Sequence, residues 1–225
     1  MSNAPLPTIL VTGGAGYIGA HTVRRLRDRG YQVVVFDRLS NGTCPAALTE
    51  SPTEPLVRAD LQDEVALDTV FTQFHIAAVI HFAASIEVGE SVRQPLAYFD
   101  NNVGSSLALL RAMQRHRVRA LVFSSTAAVY GNQVLETIPE GATIAPCNPY
   151  GASKAMVEQI LAEQAKTGAL DAVALRYFNA SGAAPDRGLG ERHQPETHLI
   201  PLVIQAALGQ REQVAIFGQD YPTPD

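Results

Sequence analysis

The sequence is poor in cysteine, in charge and in basic residues, and each shortage excludes a class of protein. Its two cysteines, Cys44 and Cys147, stand far apart with no C-x-x-C pair, so neither a disulfide framework nor a zinc ribbon is expected. Only 17% of the 225 residues are charged while 46% are hydrophobic, which excludes an intrinsically disordered chain. Seventeen basic residues against 22 acidic leave a net charge of -5, without the basic excess of a nucleic-acid-binding domain. No apolar run approaches the ~18 residues that a membrane helix needs. The stretch Met1 to Pro7 lacks a basic segment followed by a long apolar one, so no secretory signal is expected. No His/Asp/Glu/Cys group has metal-ligand spacing, so no metal is expected. There is no internal repeat and no low-complexity tract. What is left is a globular protein, expected in the cytoplasm, of about one to one and a half domains by length.

Short apolar, β-branched runs alternate with helical patterns. Thr8–Val11, Gln32–Phe36, Leu56–Val57, Ala78–Phe82, Ala120–Phe123 and Ala172–Leu175 read as strands. A stripe of Ile18, Val23 and Leu26 ending at Gly30, and the segments Glu64–Phe74, Asn102–Gln114 and Gly151–Gln164, read as helices. The strands are near-continuous apolar runs, as strands covered on both faces should be. Strand and helix taking turns predicts an α/β fold: a doubly wound parallel sheet of Rossmann type over residues 1–180. From Ser181 to Pro195 the chain is rich in Gly, Pro and charge and reads as a loop. A helix at Ile200–Leu208 and a strand at Val214–Phe217 then read as the incomplete start, over 181–225, of a smaller substrate-binding domain. Domains seldom stop just after a new strand begins, so a fragment of a longer protein is expected.

Between the first strand and first helix lies Thr-Gly-Gly-Ala-Gly-Tyr-Ile-Gly, residues 12–19. It fits Gly-x-Gly-x-x-Gly at 14, 16 and 19 and Gly-x-x-Gly-x-x-Gly at 13, 16 and 19. Glycines allow a sharp turn and a close approach to a pyrophosphate, which the amides and dipole of the helix N-terminus can hold. Asp37 closes the second strand 18 residues after Gly19, where a carboxylate can accept both ribose hydroxyls of an adenosine. That carboxylate would repel a 2′-phosphate, so NAD is expected rather than NADP. Arg38 beside it could pair with such a phosphate, and is read instead as exposed or stacked on adenine.

The second informative stretch is Asn148-Pro149-Tyr150-Gly151-Ala152-Ser153-Lys154. Pro149 can open a helix, which puts Tyr150 and Lys154 one turn apart on one face. A phenol with an ordinary pKa near ~10 is a poor base at neutral pH. A nearby ammonium and a cationic nicotinamide would favour the phenolate, which could take a hydroxyl proton while hydride leaves the same carbon. Tyr-x-x-x-Lys also arises by chance, but here it follows a strand ending in Phe123-Ser124-Ser125-Thr126, and ligands bind at the C-terminal edge of such strands. Ser124 and Thr126 are therefore candidates to face a substrate, and Ser125 reads as a turn residue.

With these motifs in place, the chain resembles the extended short-chain dehydrogenase/reductase family, on its nucleotide-sugar epimerase side, from Leu10 to Asp225. The resemblance is carried by VTGGAGYIGAHT from Val11, VIHFAASIEVGESV from Val79, YFDNNVGSSLALL from Tyr98 and LVFSSTAAVYG from Leu121. NPYGASKAMVEQIL from Asn148, LRYFNASGA from Leu175 and AIFGQDYPTPD from Ala215 complete it. It implies a tightly held NAD and a 4-epimerase that interconverts UDP-glucose and UDP-galactose through a 4-keto intermediate. Tyr150 would be the base, with Lys154 on the nicotinamide ribose and Thr126 on the sugar 4-hydroxyl. Cofactor contacts would come from Gly13, Gly16, Tyr17, Ile18, Gly19 and Asp37. Asp60, Leu61, Phe82, Ala83, Asn101, Ser124 and Phe178 would complete them, along with Tyr150 and Lys154. UDP-sugar contacts would fall on Asn179, His198, Leu199, Ala215, Ile216 and Phe217, besides Thr126 and Tyr150. A homodimer is implied for the complete protein.

Plainer roles stay open for several of these. Phe82 and Phe178 could be core aromatics, and Asp60 or Asn101 helix caps. Tyr177 reads as packing and His81 as a satisfied buried residue. Some family members carry lysine where Ile86 stands and asparagine where His198 stands. Members also run roughly half as long again, so the chain alone is expected to be poorly active. A 4,6-dehydratase would share loop, tyrosine and lysine but needs Asp-Glu after the strand-end threonine, where this chain has Ala127 and Ala128. An inactive NAD-binding module would have no use for Thr126, Tyr150 and Lys154.

Overall fold

A computed structural model of the chain describes residues 6–40, 48, 55–133, 137–192, 196–216 and 218. Six parallel strands form its sheet: β1 Thr8–Thr12, β2 Gln32–Asp37, β3 Leu56–Arg58, β4 Ile76–His81, β5 Ala120–Ser124 and β6 Asp171–Leu175. Their order is β3-β2-β1-β4-β5-β6. The chain winds outward from β1 to β3, returns to β4 beside β1, and winds outward the other way. The doubly wound Rossmann sheet expected from the alternation is therefore present. The crevice between the C-terminal ends of β1 and β4 is its topological switch point.

Side chains alternate along the strands, and each face is covered by helices. Ile9, Val11, Val33 and Val35 point to one side and pack with Ala20 and Val23 of α1 (Tyr17–Asp28). Leu10, Val34, Phe36 and Phe123 belong to the other, larger core with α2 (Glu64–Phe74), α5 (Ser105–Arg115) and α6 (Pro149–Lys166), which supply Leu67, Leu109, Met113, Val157 and Leu161. Local chemistry sets the starts of α2 and α6. Asp63 accepts from the Ala66 amide at 3.0 Å and Asn148 from the Gly151 amide at 2.8 Å, and Pro149 fills the first turn where no amide is needed.

The structure departs from the sequence reading at three places. Between β4 and α5 run two short helices, α3 (Val88–Arg93) and α4 (Pro95–Phe99), and a wide π-type turn over Asp100–Gly104, where only one helix starting at Asn102 is expected. Val214–Ile216 is not a strand: it pairs with no strand among the described residues, and a β-branched run without a partner gains no ladder hydrogen bonds. Finally α7 (Leu199–Ala207) forms, but none of its residues is buried by the described part of the chain.

Candidate active site

The glycine loop sits between β1 and α1 because only glycine fits it. Gly13 has φ +67°, and a Cβ there would lie 2.5 Å from the Ala83 nitrogen, against the turn that leaves β4. At Gly19 a Cβ would lie 2.2 Å from the Gly13 carbonyl oxygen. Helix α1 therefore starts hard against β1. Its cap, Gly16, has no side chain to occupy the first amides, and the first turn carries no acidic residue. The partial positive charge of the helix end is left for an external anion. Asp37, at the end of β2, accepts from the Ala15 amide at 3.0 Å and from the Leu39 amide at 2.8 Å, so its carboxylate lies against this loop with acceptor capacity to spare.

On the other side of the crevice, β5 ends at Ser124, and Ser125 and Thr126 lead from it toward the start of α6. The Tyr150 phenol and the Thr126 hydroxyl are neighbours, close enough for the hydroxyl to favour the phenolate. Thr126 Oγ1 also accepts from the Ala128 amide at 3.1 Å, which fixes its rotamer. Lys154 is 3% exposed; its Nζ donates to the Ser124 carbonyl at 2.9 Å and lies 4.9 Å from the Phe123 ring centroid. Burial lowers the Lys154 pKa to about 7. Burial also raises the Tyr150 pKa, against a smaller lowering by the Thr126 hydroxyl. The expected lowering of Tyr150 by the Lys154 ammonium is thus not found in the chain itself: the ammonium is directed to the Ser124 carbonyl, and desolvation of the phenol dominates.

The sequence and the fold match proteins of known kind. The model of the NAD dependent epimerase/dehydratase family matches residues 9–223. The chain belongs to that family. It is 51% identical over 217 residues to a UDP-glucose 4-epimerase of Halalkalibacterium halodurans, covering 96% of this chain and 64% of that one. The crystal structure of UDP-glucose 4-epimerase from Brucella ovis in complex with NAD matches at 45% identity and a TM-score of 0.89, over 97% of this chain and 66% of that one. A Stenotrophomonas maltophila UDP-glucose-4-epimerase with bound NAD and formylated UDP-arabinopyranose matches at 43% and 0.90, over 97% and 67%. The chain thus spans just under two thirds of the length of the curated relative.

As a member of the epimerase/dehydratase family, the chain gathers most of the candidate residues along one edge of the sheet. Gly13, Gly16, Tyr17, Ile18 and Gly19 form the loop, with Phe82 and Ala83 beside it. Tyr17 donates to the Gly182 carbonyl at 2.6 Å, tying α1 to the segment after β6. Asp60 is not a helix cap: it accepts from the Gln62 amide at 2.9 Å, and the α2 cap is Asp63. Asn101 is not a cap either; it accepts from Arg38 at 3.0 Å and donates to Ser85 Oγ at 3.1 Å. Leu61 is buried in the core, which leaves only its backbone for a ligand. Phe178 is 70% exposed, so the core-aromatic reading fails for it. Asn179, Leu199, Ala215 and Ile216 are exposed, and Phe217 lies outside the described residues.

His198 is held between two carboxylates: Nδ1 lies 2.7 Å from Glu191 Oε1 and 3.0 Å from Glu196 Oε1. These three residues bring carboxylate and imidazole atoms within 4.8 Å, a grouping that their spacing did not suggest. His81 is buried and satisfied between Thr12 Oγ1 at 2.7 Å and Ser106 Oγ at 3.0 Å. Tyr177, read as packing, lies with its hydroxyl close to the Ser124 side chain. The sequence reading missed Glu158 and Arg176, which meet behind the site.

Proposed function

We propose that the chain is the nucleotide-binding and catalytic part of an NAD-dependent 4-epimerase that interconverts UDP-glucose and UDP-galactose through a 4-keto sugar. The observation that carries this reading is the Thr126 hydroxyl set next to the Tyr150 phenol and beside Lys154, across the crevice from an open helix N-terminus. The names of the relatives and their bound NAD support it.

The loop glycines and the amides at the start of α1 fit the pyrophosphate of NAD, and Asp37 fits its adenosine ribose. Arg38 is engaged by Asp60 and Asn101, which favours a ribose without a 2′-phosphate. When bound, NAD supplies the acceptor and donor of the hydride at sugar carbon 4, and its cationic ring favours the Tyr150 phenolate. Thr126 holds the 4-oxygen and Tyr150 takes its proton, then returns it when the sugar is reduced on its other face. Lys154, held at the Ser124 carbonyl, orients the nicotinamide ribose. Tyr17, Ile18, Phe82, Ala83 and Phe178 line the cofactor. Asn179, His198, Leu199, Ala215 and Ile216 are assigned to the UDP-sugar, as is Phe217 from the sequence alone. On this reading, residues 1–180 bind the dinucleotide, 181–225 begin the substrate-binding part, and the complete protein is a cytoplasmic homodimer. Ala127 and Ala128 after Thr126 offer no acid or base to eliminate water, which disfavours a 4,6-dehydratase.

The test is Tyr150→Phe in the complete protein, with UDP-galactose supplied and UDP-glucose measured. Loss of the positioned base lowers turnover by about 10²–10⁴-fold, while NAD remains bound and is recovered on denaturation. Undiminished turnover defeats the reading.

A further inference from the structure

Behind the Thr126–Tyr150 pair lies a second set of polar groups that the proposed chemistry does not use. At the end of β5 and the two residues after it, Ser124 offers its carbonyl to Lys154 and its side chain lies by Tyr177, while Thr126 turns to Tyr150. Ser125 between them is buried and donates its hydroxyl to Glu158 Oε1. Glu158 stands one turn beyond Lys154 on the same face of α6. Arg176, just past β6, closes this carboxylate as a fork: Nε is 3.0 Å from Oε1 and Nη2 is 2.6 Å from Oε2. Its remaining arm donates to the Tyr130 hydroxyl at 2.7 Å and the Glu140 carbonyl at 2.9 Å. The backbone ties the same segments together, since the Ala127 amide donates to the Tyr177 carbonyl at 2.7 Å.

The side chains of Glu158 and Arg176 are only 12% and 24% exposed. Stability alone is a weak reason for such a pair, because desolvating two charges offsets most of their attraction. What the fork does provide is a fixed direction for each oxygen. The segments it fixes are the ones that carry the site: the end of β5, helix α6, and the end of β6. Ser125 is the point where that order is passed to the strand end, one peptide from Thr126.

We propose that Glu158, held by Arg176, is a positioning residue that fixes Ser125 and thereby aligns the Thr126 hydroxyl with the Tyr150 phenol. This rests on Tyr150 being the proton acceptor. Ser125→Ala cuts the link to the strand while leaving the Glu158–Arg176 fork in place, and Glu158→Gln breaks the fork. The readout is the titration of Tyr150 in the 225-residue chain with NAD added, taken as the phenolate ultraviolet difference from the same chain carrying Tyr150→Phe. A hydrogen bond from Thr126 favours the phenolate, so loss of alignment shifts this titration upward by about half a unit to one unit in both variants. A purely structural role lowers the melting temperature and leaves the titration in place. If Glu158→Gln does not fold, Ser125→Ala decides. An unmoved Tyr150 titration in Ser125→Ala overturns the positioning role alone, whereas undiminished turnover in Tyr150→Phe overturns the reading on which it rests.

Discussion

Lys154 and His81 are both bases buried under the crevice, and both make stability depend on pH in the same direction. Lys154 drops from an ordinary value near 10.5 to about 7, and His81 from 6.5 to about 3, in each case first by burial; the Lys154 charge also lowers His81. The Ser106 hydroxyl donates to the Asn102 carbonyl at 2.6 Å, so it accepts from His81 Nε2, and Nδ1 accepts from Thr12. The ring is therefore neutral in the folded chain. Between pH 10.5 and 7 the unfolded lysine takes up a proton that the folded one refuses, so stability falls as pH falls through that window and stays low below it. Replacing Lys154 by Met is expected to raise the melting temperature most at pH 7 and below, with the gain vanishing toward pH 10.5; circular dichroism melts across that range measure it. His81 adds a further loss between pH 6.5 and 3, so His81→Asn is expected to unfold at lower pH than the parent chain in an acid titration. The Lys154 position was legible from Tyr-x-x-x-Lys. Its directed bond to a backbone carbonyl was not, since it joins residues 30 apart in sequence.

At the scale of elements, the contact between β1 and α1 decides whether the crevice can hold a dinucleotide. Gly19→Ala places a methyl group 2.2 Å from the backbone oxygen of Gly13, where nothing flexible can yield. It is expected to cost about 1–3 kcal/mol of stability, as overpacked sites do, and to abolish NAD binding in a calorimetric titration. Gly141→Ala meets nothing within 4 Å and is the matched control, with NAD affinity unchanged. This loop, the parallel sheet and α2, whose bounds Glu64–Phe74 coincide with the sequence reading, were legible because local signals agree with tertiary packing there. Helices α3 and α4 were not: Gly89 and Pro95 interrupt a pattern already only one or two turns long. Ser125, Glu158, Arg176 and Tyr130 were equally hidden, because their bonds join segments 18 to 46 residues apart and leave no periodic trace. Val214–Ile216 misled for the opposite reason, as a strand-like run that no strand among the described residues receives.

For the molecule as a whole, the middle of the sheet and its β6 end are finished differently. The β1–β4 crevice is packed on both faces, while β6 and α7 leave apolar side chains in water. Val173 and Leu175 on β6, Phe178 just beyond it, and Leu199, Ile200, Val203 and Ile204 on α7 are all exposed. The four on α7 recur at one, three and four residues, the stripe of a helix that packs along one side. At roughly 25 cal/mol per Å² of apolar surface left in water, several such side chains make any contact that covers them favourable, and a net charge of -5 opposes close approach of copies only weakly. The 225-residue chain is therefore expected to bind an anilinonaphthalene dye and to self-associate as its concentration rises in sedimentation runs. Ile200→Glu together with Ile204→Glu removes half of the stripe, and neither residue belongs to a buried core. That double variant is expected to lose most of the dye signal and the self-association while keeping the parent melting temperature. Dye binding that persists undiminished places the exposed apolar surface somewhere other than α7.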